Sequence, residues 1–130
     1  MFIDANIFVI AAIGKDRKAW ACRNYLARVE SGEQRATTSV LVLHEVLKSL
    51  ENHTDREKAM AKAKRFATMQ NLRVCEVTQG HFLDSLEFFR LGLEPRDALH
   101  VAVALGNSVE TILSYDKDFD AVKSIKRVEP

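Results

Sequence analysis

The sequence predicts an α/β protein, a three-layer α/β/α sandwich with a central parallel sheet. Short β-prone runs alternate along the chain with longer segments whose apolar residues recur at i, i+3, i+4 and i+7, the spacing of one helix face. The first and the last clear strands also stop at carboxylates, at Asp4 and Asp116. Strands that alternate with helices pair in parallel, and helices then cover both faces of the sheet.

Length and composition are those of an ordinary globular protein. The chain has 130 residues, of which 47% are hydrophobic and 28% are charged, so we expect a single domain over residues 1–130. The net charge of +1 argues against a protein that holds nucleic acid by bulk charge alone. It leaves room for a local basic face around an acidic pocket.

Cysteine content and hydropathy indicate the compartment. Cys22 and Cys75 are too few for a disulfide framework and lack the spacing of metal ligands, so both are predicted in the core. No apolar run reaches membrane-spanning length, and no signal-like segment precedes the first strand. We therefore expect a soluble, cytoplasmic protein that has no contact with a membrane.

The first strand is the apolar run Met1–Ile3, which stops at Asp4. In an open α/β sheet, ligands bind outside the carboxyl ends of the parallel strands, so Asp4 is predicted to project into the functional crevice. The alternative is that Asp4 only caps the next turn or helix. A short buried helix is predicted over Ile7–Ile13, closed by Gly14.

A second helix and a second strand follow. The helix is predicted to stop before Gly32, and Gln34–Thr38 then form a β-prone segment. Ser39 is a plausible N-cap for the third helix. The apolar stripe of the second helix consists of Cys22, Tyr25, Leu26 and Val29.

Glu45 does not fit the pattern of the third helix. It shares a face with Leu41 and Val42, and an ionised carboxylate on an apolar face is costly to bury without a partner. A metal ion is one such partner. The alternative is that Glu45 reaches water or pairs with Lys48. The apolar stripe of this helix is predicted to be Leu43, Val46, Leu47 and Leu50.

The middle of the chain carries its most basic helix. Thr54 is its predicted N-cap, and it runs to about Gln70 with Met60, Ala63, Phe66 and Ala67 as its apolar stripe. Its lysines and arginine could form a nucleic-acid face or only a solvated one. A strand over Val74–Val77 and a helix with the stripe Phe82, Leu86 and Phe89, closed near Gly92, come next.

The stretch Glu94–Leu105 reads as a central helix because it is apolar nearly all round. Pro95 suits the first helical position, which puts Asp97 in the first turn, where the helix dipole should keep its carboxylate ionised. His100 follows three residues later and is either a hydrogen-bond partner of Asp97 or a core histidine.

The last clear strand, Thr111–Tyr115, leads into three aspartates, Asp116, Asp118 and Asp120. These could form a solvated turn or a site built from hard oxygen ligands. A short edge strand is predicted over Ile125–Val128.

Four acids are therefore expected at one carboxyl-end crevice: Asp4, Glu45, Asp97 and Asp116. Four carboxylates in one pocket repel one another, and a divalent cation relieves the repulsion. Oxygen ligands without a cluster of His or Cys favour Mg²⁺ or Mn²⁺ over Zn²⁺. The chemistry that this predicts is phosphodiester hydrolysis.

In these residues the chain resembles the PIN-domain nucleases, in particular the small VapC-like toxins of toxin–antitoxin pairs. The resemblance lies in four segments, in the family's order: MFIDANIF, TTSVLVLHEVL, EPRDALHVAVAL and ILSYDKDF. It implies that Asp4, Glu45, Asp97 and Asp116 hold one or two Mg²⁺ or Mn²⁺ ions and that Asn6 and Ser114 support the site. It leaves open whether Asp118 or Asp120 shares or replaces the role of Asp116.

The resemblance also implies an activity and partners. The activity is endoribonuclease cleavage of single-stranded or structured RNA, such as tRNA or rRNA, which leaves 5′-phosphate and 3′-hydroxyl ends. The partners are a second copy of the chain and a small antitoxin that docks over the active site. Alternatives are a PIN-domain nuclease of RNA maturation or repair without an antitoxin, and a non-catalytic RNA-binding domain. A receiver-like phospho-acceptor domain fits less well, since it has no role for Glu45 and Asp97.

Overall fold

The computed structural model describes all residues, 1–130, as five strands, six α-helices and one short 3₁₀ helix. The strands are β1 (Phe2–Ile3), β2 (Ala36–Ser39), β3 (Leu72–Cys75), β4 (Thr111–Leu113) and β5 (Lys126–Val128). The α-helices are α1 (Ala5–Ile13), α2 (Arg17–Glu30), α3 (Val40–Glu51), α4 (Arg56–Ala67), α5 (Gln79–Arg90) and α6 (Pro95–Gly106). The 3₁₀ helix spans Lys117–Ala121, between β4 and β5.

All five strands belong to one parallel sheet in the order β3-β2-β1-β4-β5. The chain moves outward from β1 to β3 and then returns across the sheet to β4, so β1 lies between β2 and β4. Because such crossovers are right-handed, α1 to α4 cover one face of the sheet, and α5 and α6 cover the other. The predicted three-layer α/β/α fold is confirmed, and the reversal of strand order places the ligand-binding crevice at the carboxyl ends of β1 and β4.

The centre of the hydrophobic core is formed by residues of the strands and of α6. Phe2 and Ile3 of β1 and Ile112 of β4 are inaccessible to solvent. On α6, Ala98 and the run Val101–Ala104 are buried, which confirms the prediction of a central helix. Both cysteines, Cys22 and Cys75, are free and buried, also as predicted. None of the helices has the length and apolarity that crossing a membrane requires.

Each predicted element is present, most with ends that shift by a residue or more, and the predicted starts of α3 and α6 are confirmed. The hydroxyl of Ser39 accepts a hydrogen bond from the N–H of Val42, so Ser39 is the N-cap of α3, and Pro95 occupies the first turn of α6. Asp55, and not Thr54, caps α4, because its carboxylate accepts the N–H of Lys58.

The predicted apolar stripes of α3 and α4 were wrong in part, and that of α5 was wrong altogether. Helix α3 buries Val42, Val46 and Leu50, and it leaves Leu47 38% exposed. Helix α4 buries Ala59 and Phe66 but exposes Met60. The predicted stripe of α5 (Phe82, Leu86 and Phe89) faces outward altogether. Spacing finds the apolar residues on one side of a helix, and the neighbouring elements decide which side is covered.

Candidate active site

An acid-lined cavity of about 490 Å³ opens at the carboxyl ends of β1 and β4, next to the starts of α1 and α6. Helix α3 contributes Glu45 to its wall. The only cation in the lining is Arg96, beside six carboxylates: Asp4, Glu45, Glu94, Asp97, Asp116 and Asp118. This lining attracts cations and repels anions until a counter-charge is present.

Asp4 is the most deeply held of these acids, with only 6% of its surface exposed. Its Oδ1 accepts the N–H of Ala5 at 2.7 Å, so Asp4 caps α1 while it faces the cavity. Its Oδ2 accepts the hydroxyl of Ser114 at 2.6 Å and the amide of Asn6 at 2.6 Å. Burial raises the pKa of Asp4, and the hydrogen bond from Ser114 opposes that rise. Asp4 therefore has both of the placements that the sequence allowed: it caps α1, and it lines the crevice.

Asn6 and Ser114 join the end of β1 to the end of β4. The amide of Asn6 donates to the Oγ of Ser114 at 2.8 Å, and its Oδ1 accepts the N–H of Tyr115 at 3.3 Å. The Oγ of Ser114 also accepts the N–H of Asp116 at 2.9 Å. This network orients Asp4 and fixes the backbone that carries Asp116.

Three aspartates form the tightest group in the cavity. Asp97, Asp116 and Asp118 each offer a carboxylate oxygen, and these oxygens lie within 4.8 Å of one another. Asp116 also caps the 3₁₀ helix, where its Oδ1 accepts the N–H of Asp118 at 3.0 Å. Two oxygens that share one Mg²⁺ lie about 2.0–2.1 Å from the ion and so about 4.2 Å apart at most, which a small inward movement of these side chains would satisfy. Asp4 and Glu45 line the same cavity outside this group.

Asp120 lies outside the cavity, which leaves Asp118 as the aspartate that can share the predicted role of Asp116. Arg127 engages both oxygens of Asp120, from Nε to Oδ1 at 2.9 Å and from Nη2 to Oδ2 at 3.3 Å. Asp120 does not line the cavity. Of the three aspartates after β4, Asp116 and Asp118 alone reach the cavity.

The pKa of Asp97 shifts in the direction opposite to the one that its place in the first turn of α6 favours, although the carboxylate is still mostly ionised at pH 7. Burial, together with repulsion by Asp4 and Asp116, raises the pKa of Asp97 to about 6. The first turn of a helix was expected to favour the charged form, but its effect is smaller than the combined cost of burial and like charge. A raised carboxyl pKa in a cleft is typical of a functional site.

Lys48, the alternative partner predicted for Glu45, does not contact it. The Oε1 of Glu45 lies 3.0 Å from Nε2 of the fully buried His100, and its Oε2 lies 3.9 Å from the guanidinium of Arg96. Lys48 is instead paired with Glu51 at 3.2 Å. His100 therefore faces Glu45 and not Asp97. Sequence reasoning missed this contact because its only local signal was one polar residue on an otherwise apolar helix.

The residues present suit a hard divalent cation. The potential ligands are carboxylate oxygens, with no histidine or cysteine among the lining residues. The neighbouring acids raise the pKa of Asp97, which is a penalty that a bound cation would remove. Glu45 Oε1 is buried and makes no aligned hydrogen bond. The Asp97, Asp116 and Asp118 group is the candidate metal centre.

A parallel sheet with acids at the carboxyl ends of its two central strands defines an α/β/α domain of the PIN class. A family model for the PIN domain matches residues 1–125, and the chain belongs to this family. The comparison with curated proteins gave no significant sequence match.

Solved structures similar to this chain are toxins and toxin–antitoxin complexes. The toxin VapC20 of Mycobacterium tuberculosis, described as cleaving the sarcin-ricin loop, has a TM-score of 0.75 and 22% identity over 92% of both chains. VapBC2 of Rickettsia felis, bound to a DNA fragment of its promoter, has a TM-score of 0.74 and 16% identity over 98% of this chain and 96% of its own. VapBC-1 of nontypeable Haemophilus influenzae has a TM-score of 0.72 and 14% identity over the same shares. At these identities the likeness establishes the fold.

Proposed function

We propose that this protein is a Mg²⁺- or Mn²⁺-dependent endoribonuclease, the toxin of a toxin–antitoxin pair. The observation that supports this most strongly is the close grouping of Asp97, Asp116 and Asp118 in a cavity that Asp4 and Glu45 also line. The proposed reaction is hydrolysis of a phosphodiester bond. Water forms the new bond to phosphorus, the bond from phosphorus to the 3′-oxygen breaks, and 5′-phosphate and 3′-hydroxyl ends result.

The side chains divide the work of this reaction. Asp97, Asp116, Asp118 and Asp4 would hold one or two divalent ions, which, when bound, polarise the phosphoryl group and favour ionisation of water. Asp4 is suited to a fixed ligand, because Ser114 and Asn6 restrain it from behind. Glu45 is a further candidate ligand: its Oε1 lies against His100, so Oε2 is the oxygen available to bind an ion or to orient the attacking water and accept its proton.

RNA is the proposed substrate because one cation lines the acidic cavity and two others lie next to residues of the β4 end. Arg96 lines it, Lys117 is exposed beside Asp116, and Lys18 lies 4.5 Å from the ring centroid of Tyr115. Such side chains can contact phosphates on either side of the scissile bond. A similar structure is described as a toxin that cleaves the sarcin-ricin loop, which supports rRNA or tRNA as the substrate class. Since these RNAs lie in the cytoplasm, the protein would act there.

A small antitoxin protein is the proposed partner that silences the site. Two of the similar structures are VapBC complexes, in which toxin and antitoxin are bound together. Co-expression with the product of an adjacent short reading frame should yield a stable complex and restore growth to cells that the protein alone arrests. Failure to find such an inhibitor would favour a nuclease of RNA maturation.

A second copy of the chain is the proposed partner for the outer face of α5. Five large apolar side chains are about half exposed there: Phe82, Leu83, Leu86, Phe89 and Leu91. Together they present roughly 500 Å² of apolar surface, a large share of the roughly 800 Å² that each partner buries in a stable interface.

The activity is tested by incubating purified protein with a panel of single-stranded and structured RNAs in Mg²⁺, Mn²⁺ or EDTA. Cleavage should require a metal, produce 5′-phosphate ends and disappear in Asp97→Asn. Cleavage that survives in EDTA, or in a folded Asp97→Asn variant, would contradict the proposed site. Absence of cleavage across the panel, despite metal binding, would indicate a masked toxin or a very selective enzyme, and absence of metal binding would favour the non-catalytic alternative.

A further inference from the structure

We infer that His100 is a positioning residue that holds Glu45 in its working orientation from inside the core. This inference rests on the proposed function of the acid-lined cavity. His100 does not line the cavity, so it is not placed to touch substrate or metal. Its effect would pass through the Glu45 carboxylate, to which its imidazole lies at 3.0 Å.

The contact joins the two helical layers. Glu45 belongs to α3, on one face of the sheet, and His100 belongs to α6, on the other. The imidazole is inaccessible to solvent and packs near the ring of Phe2, with 6.1 Å between ring centroids. A side chain confined in this way has little freedom to move, so it can serve as a fixed reference for a more mobile carboxylate.

No other side chain can take over this task. Lys48 is engaged by Glu51, and Arg96 lies 3.9 Å from Oε2 with a side chain that is 65% exposed. An exposed cation at that distance exerts only a weak, screened attraction. Glu45 Oε1 and His100 Nε2 are both buried, and neither makes a hydrogen bond of good geometry. Their 3.0 Å approach to each other is the polar contact that both atoms share.

The arrangement has a direct consequence for the cavity. With Oε1 held against the imidazole, Oε2 is directed toward Arg96 and the cavity. An apolar residue at position 100 would leave Oε1 buried without a partner, which carries a large desolvation penalty. We expect the carboxylate then to turn toward solvent, so that metal binding in the cavity weakens.

The test compares Mn²⁺ binding by calorimetry in the wild type, His100→Phe and His100→Gln, alongside the Mg²⁺ dependence of RNA cleavage. Substitutions behind metal ligands commonly cost about 10- to 100-fold in affinity, and we expect a loss of this size in His100→Phe. His100→Gln should recover most of the affinity, since its amide can donate to Oε1. The matched control is His44→Gln, a histidine on the exposed side of α3.

A double-variant cycle separates positioning from general damage to the fold. If His100 acts through Glu45, His100→Phe should change Mn²⁺ affinity little when Glu45→Gln is already present. Losses that multiply in the double variant would overturn the inference, as would wild-type affinity in a folded His100→Phe protein. If His100→Phe does not fold, His100→Asn, whose amide is too short to reach Oε1, replaces it in the cycle.

The two experiments distinguish failure of the positioning role of His100 from failure of the nuclease proposal. If the wild type binds Mn²⁺ but cuts no RNA, and His100→Phe still weakens that binding, the nuclease proposal is wrong and the positioning role stands. If the wild type cuts RNA and His100→Phe matches it in Mn²⁺ affinity and metal dependence, the nuclease proposal stands and the positioning role is wrong.

Discussion

At the scale of single residues, the position of Asp97 favours binding of a cation but lowers the stability of the folded chain when no cation is bound. Burial and neighbouring acids raise its pKa from 3.8 to about 6, so its charged form is disfavoured in the folded chain when no cation is bound. Residues that serve a site commonly reduce stability in this way. The carboxylate therefore has a measurable cost in metal-free protein.

This cost predicts that Asp97→Asn stabilises the metal-free protein. The folded pKa is above the unfolded one, so the penalty is absent below about pH 4 and complete above about pH 6. The full shift corresponds to about 3 kcal/mol, and partial exposure of Asp97 to solvent reduces the expected gain to about 1 kcal/mol at pH 7.5.

The measurement is chemical denaturation in EDTA of the wild type and Asp97→Asn, at pH 4 and at pH 7.5. The advantage of the variant should grow as the pH rises. An advantage that is equal at both pH values, or larger at pH 4, would contradict the assignment of the raised pKa to Asp97.

The residues that gather at the cavity could be predicted, whereas their contacts could not. Asp4, Asp97 and Asp116 follow strands or begin helices at one edge of a parallel sheet, and the topology alone brings that edge together. The pairing of His100 with Glu45 depends on how α6 and α3 approach each other. Local spacing favoured Asp97 as the partner of His100 because it considers only neighbours along one helix.

At the scale of elements, the helix with the most basic residues is not the helix that places a basic residue at the cavity. Helix α4 has many cations, but Lys58 pairs with Asp55, Lys62 donates to the carbonyl of Ala12, and Arg65 lies 3.6 Å from Glu30. The first turn of α6 holds one cation, Arg96, and that residue lines the acidic cavity. Position therefore favours α6 over α4 as the element that meets RNA.

We predict that Arg96→Gln raises the KM for RNA about tenfold, because one phosphate contact near the scissile bond is lost. The dependence of binding on salt concentration should become less steep. Lys64→Gln, which removes an exposed cation of α4, is the matched control and should leave KM unchanged. Equal increases of KM in the two variants would show that RNA binding depends on the total charge of the protein and not on the position of Arg96.

The buried face of a helix could be predicted where nearly all faces of the helix are apolar. Helix α6 is apolar nearly all round, so its central position did not depend on choosing a face. Helix α5 has a clear stripe, but it packs on α6 through residues beside that stripe and leaves Leu86 half exposed. A stripe that the chain itself does not cover is a reason to look for a partner.

At the scale of the whole molecule, this uncovered stripe leads to a prediction about assembly. The wild-type protein should have twice the 14.7 kDa mass of one chain in light scattering at micromolar concentration. Leu86→Glu should reduce it to the mass of one chain, because a charge in an apolar interface is not compensated.

The control for assembly is Met60→Glu, which places the same charge at an exposed methionine of α4. This variant should keep the mass of the wild type. A wild type with the mass of one chain, or dissociation by Met60→Glu alone, would contradict the proposed role of α5.

The fold was the most predictable property of the molecule, and its partners were the least. Strands that alternate with helices leave few arrangements, since parallel pairing and right-handed crossovers exclude most of them. The choice of RNA depends on the surface shape around Arg96 and Lys117, which no local pattern encodes.

Calorimetric titration of Mn²⁺ into the wild type, Asp97→Asn and Asp120→Asn tests the proposed metal centre directly. Asp120 lies in the same acidic stretch as Asp116, but Arg127 engages it outside the cavity, which makes Asp120→Asn a matched control. We predict that the wild type and Asp120→Asn bind Mn²⁺ alike and that Asp97→Asn loses most of its affinity. A wild type that binds no Mn²⁺, or an Asp97→Asn variant that binds it as tightly, would contradict the assignment of this cavity as a metal centre.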